Sequence, residues 1–308
     1  MKISFIIPAY NEENYIGQCL ESIIQEAKNS PLETEIIVVN NASTDNTRQV
    51  AQSFTGVKVV DESRKGVGFA RQAGFLASSG DLVAYIDADS QLIPGWIKTA
   101  TKKIGKKNVV AVSGPAIFHD LPVTANITIR TIYYLAYCLK SFAIGANLII
   151  KRAALQEIGG INTSFEFYGD DADLGRSLAK VGRVVFTFAL PVYTSGRRFK
   201  EEGLLTMGVK YQVNYIWSLL FKKPFTAKHI DVREPEQGQN TANTDIKKLN
   251  RFLLGAKAAI AVLLLAYLLH SPTGTAMAAK ADTKMGRAFY SARTDVKKFH
   301  LRHRSRTA

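Results

Sequence analysis

Cysteine is nearly absent. The 308 residues hold only Cys19 and Cys138, far apart, with no second thiol near either. They make neither a zinc-ligand pattern nor a disulfide framework, so the composition suits a reducing compartment and two packed core thiols. The five histidines form no ligand pair. Acidic residues are scarce beside basic ones, 26 against 40, which leaves a net charge of +14 and a pI near 9.7. Long hydrophobic runs are scarce too. The opening "MKISFIIPAY" has too short an apolar stretch for a signal peptide, and the main domain is expected to stay cytosolic. No internal repeat is present. What is there in quantity is ordinary globular material: 46% hydrophobic and 21% charged residues, enough for a substantial core.

The basic excess is uneven. From Ser271 to Ala308 there are nine Lys and Arg against two Asp, so half of the net charge sits in the last 38 residues. A tail of this kind suits an anionic surface. Just before it, Phe252–Leu269 is apolar except for Lys257. Its 18 residues are at the lower limit for a membrane span, and the unbroken part, Ala258–Leu269, has only 12. Lys247, Lys248 and Arg251 flank it on one side and the basic tail on the other. A single crossing would put one basic flank outside, against the positive-inside tendency. A helix lying in the interface keeps both flanks on anionic lipid. Span, interfacial helix and a helix packed against protein all stay open. The expected organisation is a main domain over 1–233, a Gln- and Asn-rich linker over 234–247, a hydrophobic helix over 248–270 and a basic tail over 271–308. Membrane association at the cytoplasmic face is the expectation, and no nucleic-acid partner is expected.

The first 113 residues alternate. Apolar runs predict strands at Ile3–Pro8, Glu35–Asn40, Val57–Val60, Leu82–Ile86 and Val109–Ser113. Ile16, Cys19, Leu20, Ile23 and Ile24 share one helical face in Asn14–Ala27. Asp45–Phe54, Gly68–Ser78 and Pro94–Ile104 read as further helices, the last with Pro94 in its first turn. Further on, Ile127–Leu139, Ala153–Ile158 and Asp171–Val181 read as helices, with Gly159-Gly160 stopping the second and Gly182 as C-cap of the third. Gly145–Lys151 and Arg183–Phe188 read as strands. This pattern implies an α/β fold whose mostly parallel central sheet is covered on both faces. Ligands of such sheets sit at the carboxyl ends of the strands. Three polar clusters converge there: "PAYNEE" (Pro8–Glu13), "NNASTDNT" (Asn40–Thr47) and the "DAD" of Asp87, Ala88 and Asp89.

An Asp-X-Asp in extended chain points both carboxylates to one side. Two negative charges that close need a cation, and Mg²⁺ takes one or two protein carboxylates with phosphate and water completing its shell. On its own the triplet also reads as a turn, with Asp87 or Asp89 capping the Pro94 helix region. In "PAYNEE", Asn11, Glu12 and Glu13 suit a helix start. Asp45 suits the cap of the helix that follows it. "KGVGFAR" is no dinucleotide fingerprint, because it follows the third strand rather than the first. Asp170, Asp171 and Asp173 in "YGDDADL" suit the first turn of a helix.

Four ordered stretches carry a more specific signal: "SFIIPAYNEENYIGQCLESI", "EIIVVNNASTDNT", "KGVGFARQAGFLASSGDLVAYIDADS" and "GANLIIKRAALQEIGGINTSFEFYGDDADLGRSLAKVG". Together, over roughly residues 2–200, they resemble the family 2 glycosyltransferases. The resemblance implies the GT-A fold, with a Rossmann-like nucleotide half and an acceptor half. It also implies a nucleotide-diphosphate sugar donor, a divalent cation (Mg²⁺ or Mn²⁺), an acceptor hydroxyl and inversion at the anomeric carbon.

By that resemblance Pro8, Ala9, Tyr10 and Glu12 line the nucleotide pocket, Tyr10 packs on the base and Glu12 faces the ribose. The family usually has an acid where Asn40 stands, touching the base. Lys65 and Arg71 border the diphosphate. Asp87, Ala88 and Asp89 meet the donor, with Asp89 and Asp87 holding the metal. The family commonly has Glu-Asp at "DD", so Asp171 matches the general base and Asp170 replaces the Glu. Arg197 and Arg198 after the last strand meet the leaving diphosphate or form a solvated loop. His119 could approach the metal. Two rivals remain: a nucleotidyltransferase, which "PAYNEE" disfavours for want of a Gly-rich loop, and a non-catalytic nucleotide-sugar- or lipid-binding protein, suggested by Asn40 and Asp170.

Overall fold

The structure is a computed structural model that describes residues 1–127, 129, 146–164 and 170–202. The expected linker, hydrophobic helix and basic tail lie outside the described residues, as does most of the helix expected at Ile127–Leu139. The chain divides into two units, Met1–Pro235 and Glu236–Ala308, and all described residues belong to the first.

Ten strands and seven labelled helices carry the described fold. They run β1 (Lys2–Ala9), α1 (Ile16–Lys28), β2 (Glu33–Asn40), α2 (Thr47–Gln52), β3 (Val57–Asp61), α3 (Val67–Ala77), β4 (Leu82–Ile86), β5 (Ser90–Leu92), α4 (Trp96–Ile104), β6 (Val109–Ser113) and β7 (Ala116–Phe118). Residues 123–127 are helical. Then follow β8 (Asn147–Lys151), α5 (Arg152–Glu157), α6 (Asp170–Val181), β9 (Arg183–Phe186), β10 (Val192–Thr194) and α7 (Arg197–Glu202).

Seven strands form the main sheet in the order β3-β2-β1-β4-β8-β6-β9. All its pairings are parallel except those of β8, which runs antiparallel to β4 and β6. The expected mostly parallel sheet is present. Alternation along the strands splits the core into two layers. Ile3, Phe5 and Ile7 of β1 and Leu82, Ala84 and Ile86 of β4 face α1, α2 and α4. Ile6 of β1 with Val83 and Tyr85 of β4 face α3, α5 and α6. α3 comes close to the sheet at Gly74, where a Cβ would stand 2.3 Å from Ile6 Cγ2 and 3.0 Å from Val39 Cγ2. That approach sinks the whole helix, and Arg71, one turn earlier, goes down with it.

Three expectations are corrected. The helix expected from Pro94 begins at Trp96, after Gly95 at φ +84°. Its first amides are satisfied from outside: Gly95 and Ile97 N–H donate to the two Glu26 oxygens of α1 at 2.7 and 3.1 Å. Gly182 does cap α6, its N–H donating to the Leu178 carbonyl at 3.1 Å, but not in left-handed backbone; a Cβ there would meet Val110 Cγ1 at 2.3 Å. Gly159 and Gly160 do stop α5 in left-handed backbone, at φ +83° and +87°. Third, Arg197–Glu202 of "SGRRFKEEG" is a helix, α7, and it follows a second sheet absent from the sequence reading. Its order is β5-β10-β7, with β10 antiparallel to β5 and parallel to β7.

Candidate active site

At the carboxyl rim of the main sheet, β1 and β2 end side by side, with Ala9 paired to Asn40. The loops that follow lock together. Asn11, left-handed at φ 49°, donates its N–H to Ser43 Oγ at 3.1 Å and accepts from Thr44 N–H at 2.8 Å. Glu12 N–H donates to Thr47 Oγ1 at 2.7 Å, and Glu13 N–H to Asp45 at 3.1 Å. Asp45 also accepts from Thr47 N–H at 2.9 Å, so it caps α2 as expected. "PAYNEE" and "NNASTDNT" are thus one structure: short polar side chains satisfying the backbone of a neighbouring turn.

Asn41, which sequence reasoning passed over, shapes the next loop. Its amide donates to the carbonyls of Glu62 and Arg64 at 3.1 and 2.7 Å and accepts from Gly66 N–H at 2.8 Å. Lys65, between those anchors, reaches Tyr10: Nζ donates to its hydroxyl at 2.7 Å and lies 4.0 Å from its ring centroid. Asn40 Nδ2 donates to Asp61 Oδ1 at 2.8 Å.

The expected extended Asp-X-Asp is a turn. β4 ends at Ile86, Ser90 N–H closes back on the Asp87 carbonyl at 2.9 Å, and buried Ala88 sits at the bend. The two carboxylates go to different arginines. Asp87 Oδ1 lies 3.5 Å from Arg71 Nη2, while Asp89 Oδ2 accepts from Arg197 at 3.1 Å and its Oδ1 from Thr194 at 3.2 Å.

Arg71 is only 4% exposed and gathers the acidic end of α6: its Nη1 donates to Asp170 and, at 3.2 Å, to Asp171 Oδ1. Burial opposes its charge, but the carboxylates of Asp170, Asp171 and Asp87 outweigh that and raise its pKa. Asp170 moves the other way from a normal acid. Burial and the neighbouring Asp171 charge push it up to about 7, against the pull of Arg71. Two carboxyls in such a pair titrate together, and the more open partner ionises more readily. Asp171 is that partner, its side chain 39% exposed against 10% for Asp170.

Arg197 organises the other half. Besides Asp89 it pairs with Glu12, which is 3% exposed, and its guanidinium lies 4.6 Å from the Tyr15 ring centroid. Burial works against its charge, and Glu12 then Asp89 more than restore it. Arg198 follows it on α7. The helix is placed by Asp120, another residue the sequence reading missed. Asp120 accepts from Gly196 N–H at 2.6 Å and pairs with Lys200 at 2.9 Å. His119 turns to the Thr194 carbonyl, 2.8 Å from Nδ1. Pro8 lies within β1, as the apolar run predicts.

Comparisons with known proteins bear on the family and the fold. The family model described as "Glycosyl transferase family 2" matches residues 4–159, just over half of the chain. The glycosyltransferase GlyA of Streptococcus pneumoniae is 31% identical over 163 residues, which cover 46% of this chain and 23% of that protein. A dolichyl-phosphate beta-glucosyltransferase of Trichomonas vaginalis is 28% identical over 185 residues, covering 55% and 54%. The match spans about half or less of the length of these two relatives. Among solved structures, a mannosyltransferase of Pyrobaculum calidifontis in complex with GDP-Man and Mn²⁺ shares the fold. It aligns with a TM-score of 0.56 at 18% identity, over 96% of this chain and 86% of that one.

Proposed function

This chain belongs to the family 2 glycosyltransferases, with a GT-A-like fold, and from that premise we propose that it is an inverting, metal-dependent glycosyltransferase. It would move a sugar from a nucleotide-diphosphate donor to an acceptor hydroxyl. The observation that supports this best is the single buried guanidinium of Arg71, which joins the Asp-X-Asp turn to Asp170 and Asp171. Asp87, Asp170 and Asp171 are thereby held around one side chain.

The donor set at the turn suits a hard divalent cation, Mg²⁺ or Mn²⁺. Asp87 and Asp89 are two carboxylates that each already draw a positive group. Among the described residues no cluster of three His, Cys, Asp or Glu completes a protein-only site. A cation there would complete its shell with diphosphate and water, as Mg²⁺ commonly does. Once bound it supplies charge neutralisation to the departing diphosphate. The chain does the rest. Asp89 and Asp87 hold the cation. Tyr10, with Lys65 on its ring, packs on the base, and Glu12 faces the ribose. Arg197, and Arg198 beside it, offer guanidinium groups to the diphosphate. Asp171 takes the acceptor hydroxyl proton as that oxygen attacks the anomeric carbon, and the nucleoside diphosphate leaves. Asp170, tied with Asp171 to the Arg71 guanidinium, keeps Asp171 placed.

The acceptor class we propose is membrane-linked: a lipid-linked sugar, glycolipid or envelope polysaccharide at the cytoplasmic face. The basic tail and hydrophobic segment support it, as does the dolichyl-phosphate acceptor in the name of the Trichomonas relative. Asp89→Ala and Asp171→Asn separate the roles. The first is expected to abolish metal-dependent donor binding. The second is expected to leave donor binding within about twofold while transfer is lost. Equal loss of donor affinity in both, measured by calorimetry, would overturn this division.

A further inference from the structure

Between Asp89 and Asp120 the chain has no acidic residue, and Lys98, Lys102, Lys103, Lys106 and Lys107 all fall there. α4 buries Trp96, Ile97, Ala100 and Ile104, which turns Lys98 and Lys102, four residues apart, outward on one line. Gly105 N–H donates to the Thr101 carbonyl at 3.0 Å, so the helical path continues and Lys106 extends that line. Lys106 and Lys107 are exposed, and the loop they begin leads into β6. There the loop meets two more cations. Arg183 N–H donates to the Asn108 carbonyl at 2.7 Å, and Val109 pairs with Arg183 at the start of β9. Lys180, in the last turn of α6, is exposed, as is Arg183. Among the described residues none of these seven cations makes an ion pair. Elsewhere cations find acids: Lys2 pairs with Glu33 and Glu35, Arg48 with Asp61, Arg64 with Glu62 and Lys200 with Asp120. Like charges this dense repel one another, and their positive potential reaches out over roughly 8 Å, about one Debye length.

We propose that this lysine face docks the folded domain on an anionic lipid surface. It is separate from the C-terminal segment and from the sugar site. Lysine is a compact point charge that suits a diffuse anionic surface, whereas nucleic-acid recognition leans on Arg forks and stacked aromatic rings. All but Arg183 of the seven are lysines, and Trp96, the aromatic residue of α4, is fully buried. The same chain carries the apolar stretch Phe252–Leu269, which suits lipid rather than nucleic acid. β6 and β9 run parallel to β1, so Lys106, Lys107 and Arg183 stand at the amino rim of the sheet. Asp87 and Asp89 follow the carboxyl end of β4, at the opposite rim, so docking leaves the site open. The inference goes beyond the glycosyltransferase reading and does not depend on it. Lysines alone bind reversibly and yield to salt, so the face orients the domain while the C-terminal segment remains the proposed anchor.

The test is co-sedimentation of the full chain with vesicles of phosphatidylcholine, alone or mixed with phosphatidylglycerol. Wild type is compared with Lys98→Gln/Lys102→Gln/Lys106→Gln and with Arg48→Gln/Lys58→Gln/Arg64→Gln. The second triple removes the same charge around β3, at the far edge of the sheet. Wild type is expected to prefer the anionic vesicles. The first triple is expected to lower binding to them by about tenfold or more, since each lysine near such a surface is worth roughly fivefold. Its binding to neutral vesicles is expected to match wild type, and added salt to erase the difference on anionic ones. The second triple is expected to stay within about twofold of wild type on both. Equal losses in the two triples would reduce the effect to net charge and overturn the inference. So would a first triple that binds like wild type, or a wild type indifferent to phosphatidylglycerol. Binding of an unrelated RNA that the first triple loses, with vesicle binding kept, would assign the face to nucleic acid instead. None of these readouts involves sugar turnover, so failure here leaves the donor site standing.

Discussion

At the residue scale, the site is an economy of carboxylates and arginines. Arg71 takes Asp87, Asp170 and Asp171, and Arg197 takes Asp89 and Glu12. If Asp171 is the base, Asp171→Asn should lower kcat by about 10²–10⁴ without a matching change in donor affinity, the range for a lost general base. Single-turnover kinetics beside binding would show it, and a fall in donor affinity that matches the fall in rate would assign Asp171 to binding instead. The sequence made these acids legible because they fall in ordered motifs at strand ends. It did not show how they are shared. Arg71 was expected at the diphosphate and is buried among carboxylates. The Asp-X-Asp carboxylates were expected on an extended chain, but they stand on a turn closed by Ser90 and pair with different arginines. Asn41, Asp120 and Glu26 were missed because each acts on the backbone of a segment distant in sequence, which leaves no local pattern.

At the element scale, the long strands were readable from apolar runs, and the small sheet was not. Its strands, β5, β7 and β10, have three residues each, too few for any period to show. The start of α4 was misplaced for a related reason, since its cap is supplied by α1. The opposite rim of the main sheet, where β1 and β2 begin, is stapled by Glu35. Burial alone would raise its pKa, but Ser4, Ser79 and Lys2 bring it down to about 2. Gly80 N–H adds a further bond at 3.1 Å. β1, β2 and the turn before β4 thus meet on one carboxylate. A carboxyl with a lowered folded-state pKa stabilises the fold fully above its unfolded value, near 4.5. That stability is lost as the pH falls toward about 2. Glu35→Gln is expected to lower stability at pH 7 by about 1–3 kcal/mol and to flatten the loss between pH 5 and 2. Denaturant titrations across that range would show it; an unchanged acid limb would remove Glu35 from the staple.

At the scale of the whole molecule, the described unit supplies the proposed sugar-transfer chemistry, and the remainder of the chain carries the proposed membrane attachment. No helix of the described residues is long and apolar enough to cross a membrane. The proposal therefore rests on residues 248–308 and their composition. Deleting them is expected to move the protein from membrane to soluble fractions and to leave turnover of the sugar donor intact. Retention in membrane fractions would place the attachment elsewhere. The claim on which everything else depends is donor turnover. Its most direct measurement is nucleoside diphosphate release from a panel of uridine-, guanosine- and thymidine-diphosphate sugars, with Mn²⁺ and then with chelator. Release from at least one donor, abolished by the chelator, is expected. Binding of such a donor with no release or transfer under either condition would make this a binding protein built on a glycosyltransferase fold.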